Sequence, residues 1–284
     1  MSESSLENIY YLGPDGSNTH NAMLKFLELS DIHFKNKISV KSIKAALETL
    51  ENDMESICVL PIENSIEGIV RETIGNFLNI KDEKIQILGE ITLPIEHMLL
   101  STTKNVQTIN KIYSHPQALA QCGKYLYKYF PNAELKEVSS TSYAAQKVAC
   151  ENDETIAAIA NETCAKLFNL NILSSDINDE KDNKTRFYIL GRNSACLEKT
   201  GKTSIILSTK NYSGALCDVL KIFSKYSLNL TYIDSRPSKK KLGEYLFFIE
   251  IDGLLQDKNV KKAMNELISY VDFLKILGSY RVYN

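Results

Sequence analysis

An α/β protein of two domains is what this sequence predicts, and three observations carry the prediction. The 284 residues suffice for about two domains of ordinary size. Up to about Leu190, short apolar runs alternate with amphipathic stretches, which is how strands and helices alternate in an α/β domain. Beyond a polar stretch at Asn193–Gly201 the order becomes strand, helix, strand, strand, helix, strand, the ferredoxin-like arrangement. The expected division is residues 8–192 and 202–284.

Each element has its own signal. Ile9–Leu12 reads as a strand stopped by Gly13-Pro14-Asp15-Gly16, and a helix follows with Ala22, Met23, Phe26 and Leu27 on one face. Ser42–Leu50 is a helix with Ser42 as its N-cap. Ser56–Leu60 is a short buried strand ending at Pro61, and a third helix carries Ile74, Phe77 and Leu78. Ile85–Ile91 and Met98–Leu100 are extended. Ile112–Tyr113 leads into a helix opened by Ser114 as cap and Pro116 in the first turn. Thr141–Cys150, Ile156–Ile159, Asn161–Phe168 and Arg186–Leu190 continue the alternation. In the C-terminal segment the strands are Thr203–Leu207, Leu230–Asp234, Tyr245–Ile251 and Phe273–Leu277. Its helices are Gly214–Tyr226 and Asn259–Tyr270, the second striped by Val260, Met264, Leu267 and Ile268.

Composition narrows the function. With 44% apolar and 24% charged residues the chain reads as a soluble globular protein, and the net charge of -2 gives no basic stripe for nucleic acid or a membrane surface. Lys239-Lys240-Lys241 is the one dense basic patch and reads as a solvated loop. The polar N-terminus, Met1 to Ser5, has no apolar run behind it, so the expectation is a cytoplasmic protein. Six cysteines (Cys58, Cys122, Cys150, Cys164, Cys196 and Cys217) lack Cys-x-x-Cys spacing, and the four histidines lack ligand spacing. Reduced thiols, no metal and no cofactor are expected. Only five of the 33 basic residues are arginine (Arg71, Arg186, Arg192, Arg236 and Arg281), so Arg186 and Arg236, which sit in motifs, are candidates for a bidentate grip on a carboxylate.

Four polar motifs stand out. Gly13–Ser17, between strand and helix, can aim backbone N–H groups at an anion or simply reverse the chain. Pro61–Gly68 places Glu63, Asn64 and Ser65 directly after a buried strand, where ligands gather in open α/β sheets, although a capped turn has the same spacing. Ser114–Gln121 puts Ser114, Gln117, Ala118 and Gln121 along one helical stripe, a neutral hydrogen-bonding face or a solvated one. Asn183–Phe187 sets the Thr185 hydroxyl beside the Arg186 guanidinium at the start of a strand.

Together and in this order, the four resemble the signature blocks of prephenate dehydratases, as does Gly89–Ile95 between them. Gly214-Ala215-Leu216 and Asp234-Ser235-Arg236-Pro237 look like the ACT regulatory domain of the same enzymes, so the resemblance runs from about Ile9 nearly to the end. It implies a two-lobed catalytic domain similar to periplasmic binding proteins, followed by the ferredoxin-like ACT domain. Thr185 would be the catalytic residue. Asn64, Ser114, Gln121, Arg186 and Phe187 would contact prephenate. Gly214, Ala215, Leu216 and the turn Asp234, Ser235, Arg236, Pro237 would bind L-phenylalanine as allosteric effector. The implied assembly is a homodimer or homotetramer. Three positions depart from the family pattern: Asn18 in place of an aromatic, Ser213 in place of proline, and Asp234 in place of glutamate.

The implied reaction is loss of CO2 and hydroxide from prephenate to give phenylpyruvate. Aromatisation drives it, and the protein need supply only a proton or strong hydrogen bond to the departing hydroxide. The threonine hydroxyl is a poor acid, so Thr185 is expected to act within a hydrogen-bonded relay, with Arg186 and helix N-terminal amides as carboxylate anchors. Arogenate dehydratase is the alternative activity. A non-catalytic binding protein and a purely regulatory ACT protein are the alternatives of other classes. The first leaves Thr185 without a role, and the second leaves the first 190 or so residues unexplained. A monofunctional enzyme is the expectation.

Overall fold

The computed structural model describes residues 7–30, 32–80, 82–192, 200–237 and 245–283. Most of the Asn193–Gly201 linker, the Lys239–Lys241 patch, Cys196 and the N-terminal Met1–Ser5 lie outside the described residues. The chain divides into two compact units, one of Met1–Ile80 with Ile91–Phe187 and one of Lys81–Glu90 with Tyr188–Asn284. No helix among the described residues is long and apolar enough to cross a membrane.

The first unit has two lobes. One is built from β1 (Asn8–Leu12), α1 (Asn18–Ser30), β2 (Asn36–Val40), α2 (Ile43–Asn52), β3 (Ser56–Asn64), the short β4 (Gly68–Ile69) and α3 (Arg71–Phe77). β2, β1 and β3 are parallel neighbours, and the buried run Ser56–Leu60 gives the central strand its two covered faces. β5 (Gln86–Pro94) leads to the second lobe. This holds β6 (Met98–Ser101), β7 (Lys111–Ser114), α4 (Pro116–Gln121), α5 (Gly123–Tyr129), β8 (Glu134–Glu137), α6 (Thr141–Glu151), β9 (Ile156–Ala160), α7 (Glu162–Phe168) and β10 (Asn171–Ser174). Its sheet runs β10-β6-β9-β7-β8, and β11 (Lys184–Gly191) then returns beside β3.

Alternation fixes the packing of the second lobe. Leu100 and Ala158 face the cluster around Ala144, Val148 and Cys164, while Leu99, Ala157 and Ile159 face the one around Leu119, Cys122 and Leu126. Helix ends follow local chemistry. Ser42 accepts from the Ala45 N–H, Ser140 from the Tyr143 N–H and Asn161 from the Cys164 N–H, each fixing the first turn of its helix. Asn152 and Asn169 close α6 and α7 in left-handed conformation.

The second unit carries β12 (Lys202–Thr209), α8 (Ala215–Lys225), β13 (Leu230–Pro237), β14 (Tyr245–Asp252), α9 (Lys258–Leu267) and β15 (Val271–Tyr283). The strands are antiparallel in the order β13-β14-β12-β15, the ferredoxin-like arrangement, and one core joins Ile205, Val219, Phe223, Ile249, Val260 and Leu267. This unit also buries charge. Lys202 Nζ lies 2.8 Å from Glu90 and 3.8 Å from Glu250, and the Tyr188 hydroxyl donates to Glu250.

Four expectations change. β3 runs through Pro61 to Asn64, because a proline in extended backbone forfeits only its own donor. The cap of α4 is His115, whose Nδ1 accepts from the Gln117 N–H at 3.3 Å, since Ser114 is the last residue of β7. Asp234–Pro237 is no turn but the end of β13, paired residue by residue with β14 up to Pro237 opposite Tyr245. β2, β8, β10 and α5 add elements that the apolar pattern does not announce, and the four residues of β8 are all exposed.

Candidate active site

The end of β3 meets the start of β11. The Ser65 N–H donates to the Lys184 carbonyl at 2.8 Å and the Lys184 N–H to Ser65 Oγ at 2.9 Å. Asn64 sits at this junction with its orientation determined. Its Oδ1 accepts from the N–H groups of Ile66 and Glu67 at 3.0 and 3.1 Å, so the other end of the amide must be Nδ2. Nδ2 then donates to Thr185 Oγ1 and to Asn183 Oδ1, both at 2.8 Å. Thr185 is therefore an acceptor toward Asn64, and its own hydroxyl proton is left to point elsewhere. The relay continues from Asn183 Nδ2 to Gln121 Oε1 at 3.3 Å, and His97 Nε2 lies 3.1 Å from the same oxygen. Burial lowers the His97 pKa from its usual range, with the Gln121 contact opposing in part.

These groups open onto a cavity of about 440 Å³, within the usual size range of small-molecule sites. Its polar wall is made largely of helix starts: Ser17–Thr19 at α1, His115 and Gln117 at α4, and Ser139–Ser142 at α6. The Ser17 hydroxyl accepts from the His20 N–H, as the cap of α1. Helix N-termini present unpaired N–H groups and the positive end of the helix dipole, so this wall suits an anionic ligand. No lysine or arginine is among the described residues that line it. Apolar surface comes from Ile69, Val70, Ile95 and Phe187.

Of the residues singled out by the motifs, Asn64, Gln121, Thr185 and Phe187 line the cavity together. Ser114 does not. It is fully buried and its hydroxyl donates to the Ile159 carbonyl at 2.7 Å. Arg186 is not among the lining residues either. It alternates with Thr185 and Phe187 along β11, so its side chain points to the other face, where it forms a 2.7 Å ion pair with Glu63. Arg186, the expected anchor for a substrate carboxylate, is thus not on the wall that the helix starts form. Asn18, the departure from the family pattern, lines the cavity and accepts from Asn161 Nδ2 at 3.2 Å, a polar contact that an aromatic would not make. The motif reading missed His97 and the Ser139-Ser140-Thr141-Ser142 run, and it gave no role to Asn183, the first residue of its fourth motif. That run of four hydroxyls across the start of α6 was itself the visible signal.

In the second unit, Gly214 is the N-cap of α8 with φ +93°, a conformation that favours glycine, and among the described residues none beyond its chain neighbours comes within 4 Å of where its Cβ would be. Ala215 is buried behind it and Leu216 half-buried. Asp234 and Arg236 pair at 2.9 Å on one face of β13, and Ser235 and Pro237 are exposed on the other. β14 separates β13 from β12, so this stretch lies at the sheet edge, two strands from the strand that leads to Gly214.

Comparison with known proteins agrees with this architecture. Residues 9–195 match the family model for prephenate dehydratase and residues 203–269 that for the ACT domain. The bifunctional chorismate mutase/prephenate dehydratase of Aquifex aeolicus is 40% identical over 272 residues, covering 96% of this chain and 73% of the relative. The prephenate dehydratase of Methanocaldococcus jannaschii is 39% identical over 279 residues, covering 97% of this chain and 98% of the relative. The solved structure of a prephenate dehydratase from Arthrobacter aurescens in complex with L-Phe superimposes with a TM-score of 0.84 at 31% identity, over 96% of this chain and 90% of that one. With its two-lobed α/β unit, its ferredoxin-like unit and these relatives over nearly its whole length, the chain belongs to the prephenate dehydratase family of lyases and carries the ACT domain of that family.

Proposed function

We propose that the cavity of the first unit is where this chain converts prephenate to phenylpyruvate, with Thr185 as the proton donor. In that reaction the ring carboxylate leaves as CO2, its bonding electrons enter the ring, and the ring hydroxyl departs with a proton as water. The group that must be served is the departing hydroxide. The observation that carries the assignment is the 2.8 Å hydrogen bond from Asn64 Nδ2 to Thr185 Oγ1. A donor behind Thr185 raises the acidity of its hydroxyl and turns the proton away from Asn64. The N-termini of α1 and α6 supply the carboxylate binding that the cavity wall lacks from arginine, and Phe187 and Val70 offer the ring an apolar surface from which water is displaced.

The reading extends to regulation. Phenylalanine acts through the ACT domain, with Gly214–Leu216 and Asp234–Pro237 as its site, and the edge strand β13 supports a homodimer or homotetramer. The unpaired thiols of Cys58, Cys122, Cys150, Cys164 and Cys217 support a cytoplasmic setting. The division at residues 8–192 and 202–284 gives the two activities one domain each.

The test is a steady-state assay of prephenate consumption and phenylpyruvate formation, with arogenate run alongside. Thr185→Ala is expected to lose on the order of a hundredfold in kcat while keeping its far-ultraviolet circular dichroism. Thr185→Ser, which keeps the hydroxyl and loses the restraining methyl, is expected to retain partial activity. Near-normal kcat in the alanine variant would remove Thr185 from the mechanism.

A further inference from the structure

His97 is 5% exposed and lies between β5 and β6, where the chain first crosses between the lobes of the first unit. The return crossing clamps it. Its backbone N–H donates to Asn178 Oδ1 at 2.6 Å, Asn178 Nδ2 donates to the Ile95 carbonyl at 2.9 Å, and the Ile177 N–H donates to the His97 carbonyl at 3.0 Å. Its side chain reaches the cavity wall and contacts Gln121. None of the four motifs contains it.

The orientation of three successive amides decides what this contact is. Two backbone N–H groups fix Asn64 Oδ1, so Asn64 presents Nδ2 to Asn183 Oδ1. Asn183 must then present Nδ2 to Gln121, and Gln121 must answer with Oε1. Turning Gln121 over would set two N–H donors against each other in a buried site, which costs far more than the bond gains. With Gln121 Oε1 facing inward, His97 Nε2 has to carry the proton. Gln121 Nε2 is left buried and without a hydrogen-bond partner among the described residues, beside the cavity.

We propose that His97 is a positioning residue for the dehydration: as the Nε2–H tautomer it donates to Gln121 Oε1 and holds the Gln121 amide with its N–H groups toward the substrate. This rests on the cavity being the prephenate site. There the Gln121 N–H groups meet an acceptor oxygen of a dianionic ligand. The reverse orientation would put a carbonyl dipole against a carboxylate. Asn64, Asn183 and His97 thus set the sign of the field that Gln121 presents, while Gln121 alone makes the contact.

The experiment is a double-mutant cycle on prephenate kinetics with His97→Leu, Gln121→Ala and the pair. Losing the hydrogen bond is expected to lower kcat/KM about tenfold in either single variant, and the pair should be no worse than Gln121→Ala alone. His97→Gln, which keeps an N–H donor at similar reach, is expected to recover to within about threefold of wild type. Additive losses in the pair, or wild-type kinetics in a folded His97→Leu, would overturn the proposal. If His97→Leu does not fold, nitrogen-15 spectra of the wild-type histidines decide, with His97→Gln identifying the resonance. A protonated Nε2 beside an unprotonated Nδ1 supports the proposal, and the opposite tautomer overturns it. Failure of the underlying reading looks different: Gln121→Ala and Thr185→Ala would then both keep normal prephenate kinetics.

Discussion

At the scale of single residues, the proposed site depends on the direction of the hydrogen bond between Asn64 and Thr185, in which Asn64 Nδ2 donates to Thr185 Oγ1. Asn64→Asp tests this, since it replaces the donor behind Thr185 by an acceptor of nearly the same shape. Thr185 would then give its proton to the aspartate, and kcat is expected to fall on the order of a hundredfold with the fold intact. A kcat near wild type would show that the Asn64 contact does not direct the proton. Arg186 makes the opposite case. Its ion pair with Glu63 is largely shielded, and neither side chain faces the cavity. Arg186→Met is expected to lower stability by about 1–3 kcal/mol through the abandoned carboxylate while leaving KM for prephenate within about threefold. Urea unfolding and steady-state kinetics would separate the two. A large rise in KM would return Arg186 to the substrate. The sequence made Thr185, Asn64, Gln121 and Phe187 legible because they sit in motifs at strand ends and on one helical stripe. It did not tell which face of β11 Arg186 takes, nor that the Ser114 hydroxyl has a carbonyl opposite it. Those depend on neighbouring strands. His97 was invisible for the same reason: its partner, Gln121, is 24 residues away.

Elements were legible where their own residues dictate them. The cap Ser42, the buried run of β9 and Val260, Met264 and Leu267 of the α9 stripe act within a few residues, so their signals survive in the sequence, whereas Ile268, expected in that stripe, lies exposed at the helix end and Ala263 is buried instead. β2 and β8 are mostly exposed edge strands with little apolar alternation, and only their neighbours make them strands. The start of α8 carries a prediction of its own. Gly214 has φ +93° and no close neighbour at its absent Cβ among the described residues, so the first cost of a side chain there is backbone strain, of about 1 kcal/mol or more. Gly214→Leu is expected to lower the thermal midpoint slightly and to fill the approach to the first N–H groups of α8. Calorimetric titration should then show phenylalanine binding lost, with kcat in its absence retained. By reciprocity, wild-type protein should bind phenylalanine more weakly when a prephenate-site ligand is present, by the factor that phenylalanine imposes on prephenate. Equal phenylalanine affinity in both proteins would place the site elsewhere.

At the scale of the whole molecule, His20 and His97 make the stability depend on pH just below neutrality, because burial favours their neutral form. Burial lowers the pKa of both His20 and His97. For His20 the carboxylate of Asp15 opposes the shift and Lys37 adds to it, and for His97 the Gln121 contact opposes it. An unfolded histidine titrates near 6.5, so below that value the unfolded chain binds more protons than the native one. The contribution of these two histidines is therefore fully present above about pH 6.5 and is lost as the pH falls toward their lowered values. One buried histidine contributes at most about 1.4 kcal/mol per pH unit, and His97 is the more enclosed of the two. Asp82, Asp153, Glu134, Asp218 and Glu266 have pKa values held below the ordinary carboxylate range by hydrogen bonds from backbone or cationic partners. The losses of these five begin only in stronger acid, below the interval of about pH 6.5 to 5 in which the two histidines lose theirs. Urea midpoints at pH 7.5 and 5.5 are expected to fall with acidification in the wild type, and His97→Gln should flatten the change because glutamine has no proton to gain. An unchanged slope in His97→Gln would mean that the buried imidazole is not what the native state refuses to protonate.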